Sequence, residues 1–392
     1  MRLLAHLRVC RENRGISKAM QHRFDSACRG GDIDAVKYLL CMDCDVHLES
    51  GFQAACACGH ESTVQLLLSL EGDSHVDVHA GDETAFRAAC WNGQTGVVQL
   101  LLSLEGDRRI DVQAADNDAF RSACLCGHVD VVEALLCADG GRCIDVHAGD
   151  EDAFRGACDG GSESLVRRLL SLDGDRRIDV RAGDEAAFRV ACGKGHEGVV
   201  KLLLSLDGDR RIDVHARVEA AFRDACESGY EGVVKLLLSL SGDRYINVHA
   251  GGEAAVRTAC RNGFQETVQL LLSLPPERGY TWDTPQQQAL LVDCVSDALA
   301  VSASVVEVLL QQAPLPPSCL RLLVAQTGGL TATLPDLGPR GVAVVQQVLL
   351  LLTQPEEAKL QWLLSQKAAF GASSADLPAV ADALALCCVL LP

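Results

Sequence analysis

A chain of 392 residues with 48% hydrophobic and 22% charged residues is composed to fold rather than to stay disordered. Its formal net charge of -18 excludes the basic stripe that nucleic-acid binding needs and disfavours an anionic membrane surface. Nineteen cysteines, an odd number in a long chain without a secretory signal at its front, do not read as a secreted disulfide scaffold.

The first residues, "MRLLAHLRVCRENRG", hold an apolar run that is short and broken by His6 and Arg8. The arginines are a transit-peptide feature, which Glu12 opposes. Residues 1–23 are taken as an N-terminal helical segment. No stretch reaches the roughly 18 charge-free apolar residues of a membrane helix. The tail "LPAVADALALCCVLLP" comes nearest and contains Asp382. A reduced compartment, cytoplasmic with the nucleus second, and a monomer free of nucleic acid and membrane are expected.

From Phe24 onward a repeat organises the chain. Phe52, Phe86, Phe120, Phe154, Phe188 and Phe222 stand 34 residues apart, with Val256 next, and each is followed four residues later by a cysteine, Cys56 through Cys260. Phe24 and Cys28 open a shorter first copy, and Leu290 and Cys294 keep the register in a degraded last one. The array therefore spans residues 24–274, with copies starting near 24, 52, 86, 120, 154, 188, 222 and 256.

One unit, Ala187 to Ala220, reads "AFRVACGKGHEGVVKLLLSLDGDRRIDVHARVEA". Asp184 is the expected N-cap of a first helix running to Lys194, on which Phe188, Ala191 and Cys192 share one apolar face. Gly195 stops it. A second helix from about Glu197 to Leu206 carries Val199, Val200, Leu202 and Leu203, and Gly208 ends it. "RRIDVHA" then reads as an extended connection with Ile212, Val214 and Ala216 turned inward. No unit can bury its own apolar face, so stability comes from neighbours stacked along one axis.

This unit resembles an ankyrin repeat. "AFRVAC", "GKGH", "VVKLLL" and "IDVHA" fill the places of T-P-L-H-x-A-A, G-H, V-V-x-L-L-L and the D-V-N-A-like strand, over about Phe24 to Leu274. The resemblance implies an all-α solenoid of stacked helix-turn-helix repeats with short extended or hairpin connections, and a concave face that binds protein. It also departs from the pattern. The T-P pair is replaced, for instance by Thr84-Ala85, and the hairpin is short, which puts projecting fingers in doubt. Arg189 stands in the histidine place, where it cannot accept a hydrogen bond and is expected to pair with Asp184 or Glu185.

Beyond Pro275 the pattern blurs into Leu- and Val-rich segments separated by prolines. Residues 275–392 read as degenerate repeats forming a helical capping region, with a separate helical domain as the alternative.

Each chemical motif has a bland counterpart. The register cysteines are small buried hydrophobes. "CACGH" at Cys56 to His60 and "CLCGH" at Cys124 to His128 suggest a metal, yet His60, His128 and His196 occupy the turn-histidine place of the resemblance, where hydrogen bonding is expected. "CMDC" at Cys41 to Cys44 has the spacing of half a zinc site, and no second half completes it. The loops holding Asp173 and Asp175 are followed at once by Arg176 and Arg177, which opposes calcium and suggests inter-copy ion pairs instead. No phosphate loop, nucleophile elbow or zincin motif occurs, so no enzyme, cofactor or metal is expected.

Residues that change between copies are the candidates for recognition. The pair after each register cysteine changes most and supplies Cys58, Trp91, Asn92, Leu125, Cys126, Asp159, Lys194, Glu227, Ser228, Arg261 and Asn262. Trp91 is the aromatic among them, a hot spot or a gap filler. The expected hairpin tips add Asp82, Glu83, Asp116, Asp118, Asp150, Glu151, Asp184 and Glu185, an acidic row that favours a partner with a basic surface. The reading is a non-enzymatic protein-binding scaffold. Its rivals are an adaptor of ubiquitin-ligase type, whose C-terminal helices recruit a second machine, and a metal-binding protein using the extra cysteines.

Overall fold

The computed structural model describes residues 14–42, 46–71, 75–138, 144–299 and 301–312. Among the described residues there are eighteen α-helices and no strand. They fall into two compact bodies, one reaching to Ala191 and including Lys201–Ile212, the other made of Cys192–Val200 and the residues from Asp213. Residues 1–13, Cys44 and the C-terminal segments from 313 to 392 lie outside the described residues.

In the first body the helices pair as Arg14–Gly30 with Ile33–Cys41, Leu48–Cys58 with Glu61–Leu68, Ala80–Trp91 with Thr95–Leu102, Ala114–Leu125 with Val129–Leu136, and Ala148–Asp159 with Glu163–Leu170. First helices of successive copies pack in one row and second helices in another. The second body repeats this with Ala216–Ser228 and Glu231–Leu238, Ala250–Asn262 and Gln265–Leu272, and Pro285–Leu299 and Ala303–Gln312. The last pair includes Leu290 and Cys294, both buried, so the register continues past Pro275. The bodies divide within the pair Ala182–Gly193 and Glu197–Leu204.

The repeated phenylalanines are the largest fully buried side chains, and the register cysteines lie beside them with no exposure. Burying one such ring stabilises by roughly 1.5–3 kcal/mol. Desolvation pushes these thiols upward, Cys28 to about 12, so they stay protonated and inert. The second helix turns a valine and one or two leucines inward in each pair of the array, as Val131, Val132, Leu135 and Leu136 do, with Thr63 or Thr267 in place of the first valine in two copies.

The connection between copies differs from the sequence expectation. No hairpin forms among the described residues. A single 3-10 turn, as at Gly174–Arg176, follows the second helix. Ile178 and Val180 are then buried, as Ile212 and Val214 are, whereas Ala216 opens the next helix half-buried. The aspartate of "IDVHA" makes an Asx turn: Asp145 Oδ1 accepts from His147 N at 3.0 Å and Asp213 Oδ1 from His215 N at 3.0 Å.

Next comes one turn wound to the left. Gly81, Asp82 and Glu83 have φ of 64°, 60° and 58°, and the five later copies repeat it. Asp184, with φ 57°, therefore sits inside this turn. A left-handed conformation costs a non-glycine residue roughly 1–2 kcal/mol. Glycine lowers that cost at the first position in four of the six copies, whereas Ala115 and Arg217 bear it. An i to i+4 bond closes the turn, Glu151 N donating to His147 O at 3.3 Å and Asn117 N to Gln113 O at 3.0 Å.

The paired arginines of the loop divide their work. The first reaches back 40 residues to cap a second helix of the copy before, Arg108 to Leu68 O at 3.0 Å, Arg176 to Leu136 O at 3.1 Å and Arg210 to Leu170 O at 3.0 Å. This donor satisfies a carbonyl that a helix end leaves free. The second arginine makes the ion pair expected from the sequence, Arg177 to Asp209 at 2.8 Å and 3.1 Å.

Candidate interaction face

The variable residues sit where the first helix ends. In the first body Cys58, Trp91, Asn92 and Cys126 are exposed, while Leu125 and Asp159 are half-buried. Because first helices stack side by side, these ends form one row. Trp91 keeps 50% of its surface in solvent, so it does not fill a gap between copies. Asn92 caps its own helix, its Nδ2 donating to Ala88 O at 2.8 Å. Leu125 is covered by the following copy. Gly160 stands so close that a Cβ there would lie 2.1 Å from Leu125 O, which excludes any larger residue. In the second body Lys194, Glu227, Ser228, Arg261 and Asn262 are exposed. Among these, Arg261 pairs with Asp297 at 3.2 Å, and Asn262 Nδ2 donates to Glu227 O at 2.8 Å.

The acidic tips split three ways. Asp82, Asp116, Asp150 and Asp184 are exposed at the second position of the left-handed turn. Glu83, Glu151 and Glu185 occupy its third position and are buried, which removes them from an exposed acidic row. The hand of the turn is the reason: three consecutive left-handed residues carry the third side chain back beneath the turn. Asp118 serves a ladder along the helices. Arg87 pairs with Asp118 at 3.0 Å, and Arg121 pairs with Asp152 at 2.8 Å and with Asp118 at 3.7 Å. Arg155 then turns back to Asp152.

Arginine in the histidine place acts otherwise than expected. Arg189 donates to the carbonyls of Asp184 at 3.2 Å and Gly183 at 3.3 Å, not to their neighbours' carboxylates. Arg87 treats Asp82 O the same way, at 3.0 Å. The left-handed turn leaves its carbonyls free, and the guanidinium fork takes them. Glu185 pairs instead with Arg181 at 3.1 Å.

The buried glutamates belong to a motif that the sequence reading missed. His79 Nδ1 meets Glu83 Oε1 at 2.6 Å, and His79 Nε2 meets Asp107 O of the following loop at 2.8 Å. Glu83 Oε1 also accepts from Asp111 N at 3.1 Å. His147 with Glu151 and His215 with Glu219 repeat the arrangement. The signal was present in the copies: His is followed four residues later by Glu in "HAGDE", "HARVE" and "HAGGE", Arg181 by Glu185, and Gln113 by Asn117. Charge and partner change together.

The turn histidines hydrogen-bond to the preceding copy, as expected. His60 Nε2 meets Arg29 O at 2.8 Å and His128 Nε2 meets Trp91 O at 2.9 Å. Among the described residues no group of His, Cys, Asp and Glu has an arrangement that could hold a metal. Cys58 and Cys126 are exposed free thiols, and partial burial raises the Cys126 thiol, the opposite of nucleophile activation. No helix among the described residues is long and apolar enough to cross a membrane.

A buried phenylalanine-cysteine register, paired antiparallel helices and a glycine turn between them define an array of the ankyrin class. The chain carries ankyrin repeats: the family model for ankyrin repeats (3 copies) matches residues 24–116 and again 52–150. Comparison with curated proteins gives no match. Ankyrin repeats are in general protein-protein interaction modules.

Proposed function

We propose that this chain is a non-enzymatic scaffold, working as a monomer in the cytoplasm or nucleus, that binds another protein across the first-helix ends and left-handed turn tips of its repeats. The observation that carries the reading is the division of each copy. Phe, Cys and the valine-leucine pairs recur and are buried, whereas the residues after each register cysteine differ in every copy and are mostly exposed. Trp91 supplies a rigid apolar anchor. Asp82, Asp116 and Asp150 supply negative charge that speeds encounter with a basic surface at low salt.

The test is affinity capture from lysate by the full chain, read by mass spectrometry. Wild type is compared with Trp91→Ala and with the combined variant Asp82→Lys, Asp116→Lys, Asp150→Lys. A protein whose recovery drops at least several-fold with both variants, while melting is unchanged, supports the face. Equal recovery with all three proteins removes the assignment.

A further inference from the structure

His79, His147 and His215 each stand between two acceptors. Nδ1 faces a buried carboxylate, at 2.6 Å, 2.7 Å and 3.0 Å. Nε2 faces a carbonyl oxygen of the following loop, Asp107, Asp175 or Asp243, at 2.8 Å in all three. A neutral imidazole has one N–H and cannot donate to both. Both contacts are hydrogen bonds only while the His–Glu pair holds one extra proton. The glutamates are themselves tied across copies, accepting from the backbone N–H of Asp111, Asp179 and Asn247.

We propose that these three His–Glu pairs are proton-operated clasps between successive copies, which tighten the stack at low pH and release it as the pH rises. The acids that act on the rings through their charge are Glu83 and Asp77 around His79, Glu151 and Asp145 around His147, and Glu219 and Asp213 around His215, whereas Asp107, Asp175 and Asp243 contribute backbone carbonyl oxygens. Losing the proton turns a ring lone pair toward an oxygen and leaves a buried carboxylate without its counter-charge. The hydrogen bond to Glu83 or Glu151 raises His79 and His147 above 6.5, and the bond to Asp243 O followed by that to Glu219 raises His215. A raised folded-state value means stability that is fully present below about pH 6.5 and is lost as pH climbs through the raised values. The clasp sits directly behind the exposed tip residues Asp82, Asp150 and Val218. In a fourth pair, His249 with Glu253 at 2.9 Å, the imidazole makes a T-shaped contact with Tyr280, ring centroids 5.0 Å apart, which closes the series.

The chain provides its own control in Gln113–Asn117, which makes the same turn with neutral side chains. The test combines a titration and a variant, both in the full chain. Ring-proton NMR is expected to give the three histidines apparent pKa values above about 6.5, the ordinary value. Wild-type melting temperature is expected to fall by several degrees from about pH 6 to about pH 8.5. Replacing the pairs in the manner of the control (H79Q/E83N, H147Q/E151N, H215Q/E219N) is expected to remove at least half of that fall. Three rings titrating at or below the ordinary value overturn the proposal, as does a pH-dependent fall that the substitutions leave intact. If the combined variant does not fold, the wild-type ring titration decides alone.

Discussion

The copy built on Gln113–Asn117 and its two neighbours, built on His79–Glu83 and His147–Glu151, make the same left-handed turn from different chemistry. Residues 115–117 have φ of 53°, 55° and 60°, and residues 149–151 have 67°, 59° and 62°. Each turn is preceded by an Asx turn, from Asp111 or Asp145, and followed by a buried phenylalanine. The ionic pair is therefore not what bends the chain. It joins one copy to the next through a group that can gain or lose a proton, and the neutral copy shows that the array folds without that group at every step. Framework and clasp are separable layers of the repeat.

The sharpest way to break this comparison is through the framework the copies share. Phe120→Ala in the neutral copy and Phe154→Ala in an ionic one each remove a fully buried ring. Each is expected to lose about 3–5 kcal/mol by denaturant titration. The two losses should agree within about 1 kcal/mol, given a similar ability of each site to relax. A larger gap would mean that the copies do not share one core and that the clasp supports the packing.

Exchanging the clasp chemistry comes next. Glu151→Gln keeps the shape and removes the charge that His147 needs. It is expected to cost about 1–3 kcal/mol below pH 6.5 and much less above the raised value. Asn117→Glu alone buries a carboxylate opposite Gln113 and is expected to cost a similar amount at neutral pH. The paired change Gln113→His with Asn117→Glu should recover that loss and steepen the decline of stability with rising pH. If the paired variant melts with the wild-type pH dependence, the clasp is not transferable and the two layers are coupled.

Sequence alone reached the architecture because the period repeats one physical requirement many times. Phe188 and Cys192 recur on one helical face, and only stacking buries that face. It placed the helix ends, where glycine accepts positive φ, as at Gly195 with φ 77°. It missed the left-handed turn because "GDE" reads equally well as a capping signal, and the hand of a turn is set by what lies beneath it. With that hand unknown, Glu83, Glu151 and Glu185 passed for surface acids. Their partners lie four residues earlier and in the next copy's backbone, and only the former leaves a trace in the sequence. Arg189 was misassigned for a related reason: a guanidinium can take carbonyls as readily as carboxylates, and the choice depends on which oxygens the turn leaves free.

The smallest effect separates the ladder from the clasp. Arg121 lies in a chain of partly exposed ion pairs with Asp118 and Asp152, whereas Arg223, at the same place of its own copy, donates to Arg217 O at 3.2 Å. The position held by Asp152 is Ala254 one copy beyond Arg223. Arg121→Ala and Arg223→Ala share the loss of packing by the arginine stem. The former also loses its ion pairs, worth about 0–1 kcal/mol at partly exposed sites, and the latter its bond to Arg217 O. The difference between the two variants should therefore be no more than about 1 kcal/mol and should shrink as salt is raised toward 1 M, where screening acts within about 3 Å. Melting at two salt concentrations measures it. A difference that survives high salt would place the ladder with the buried interactions and give the arginine row a share in holding the copies together, beyond the tuning of surface charge expected of it.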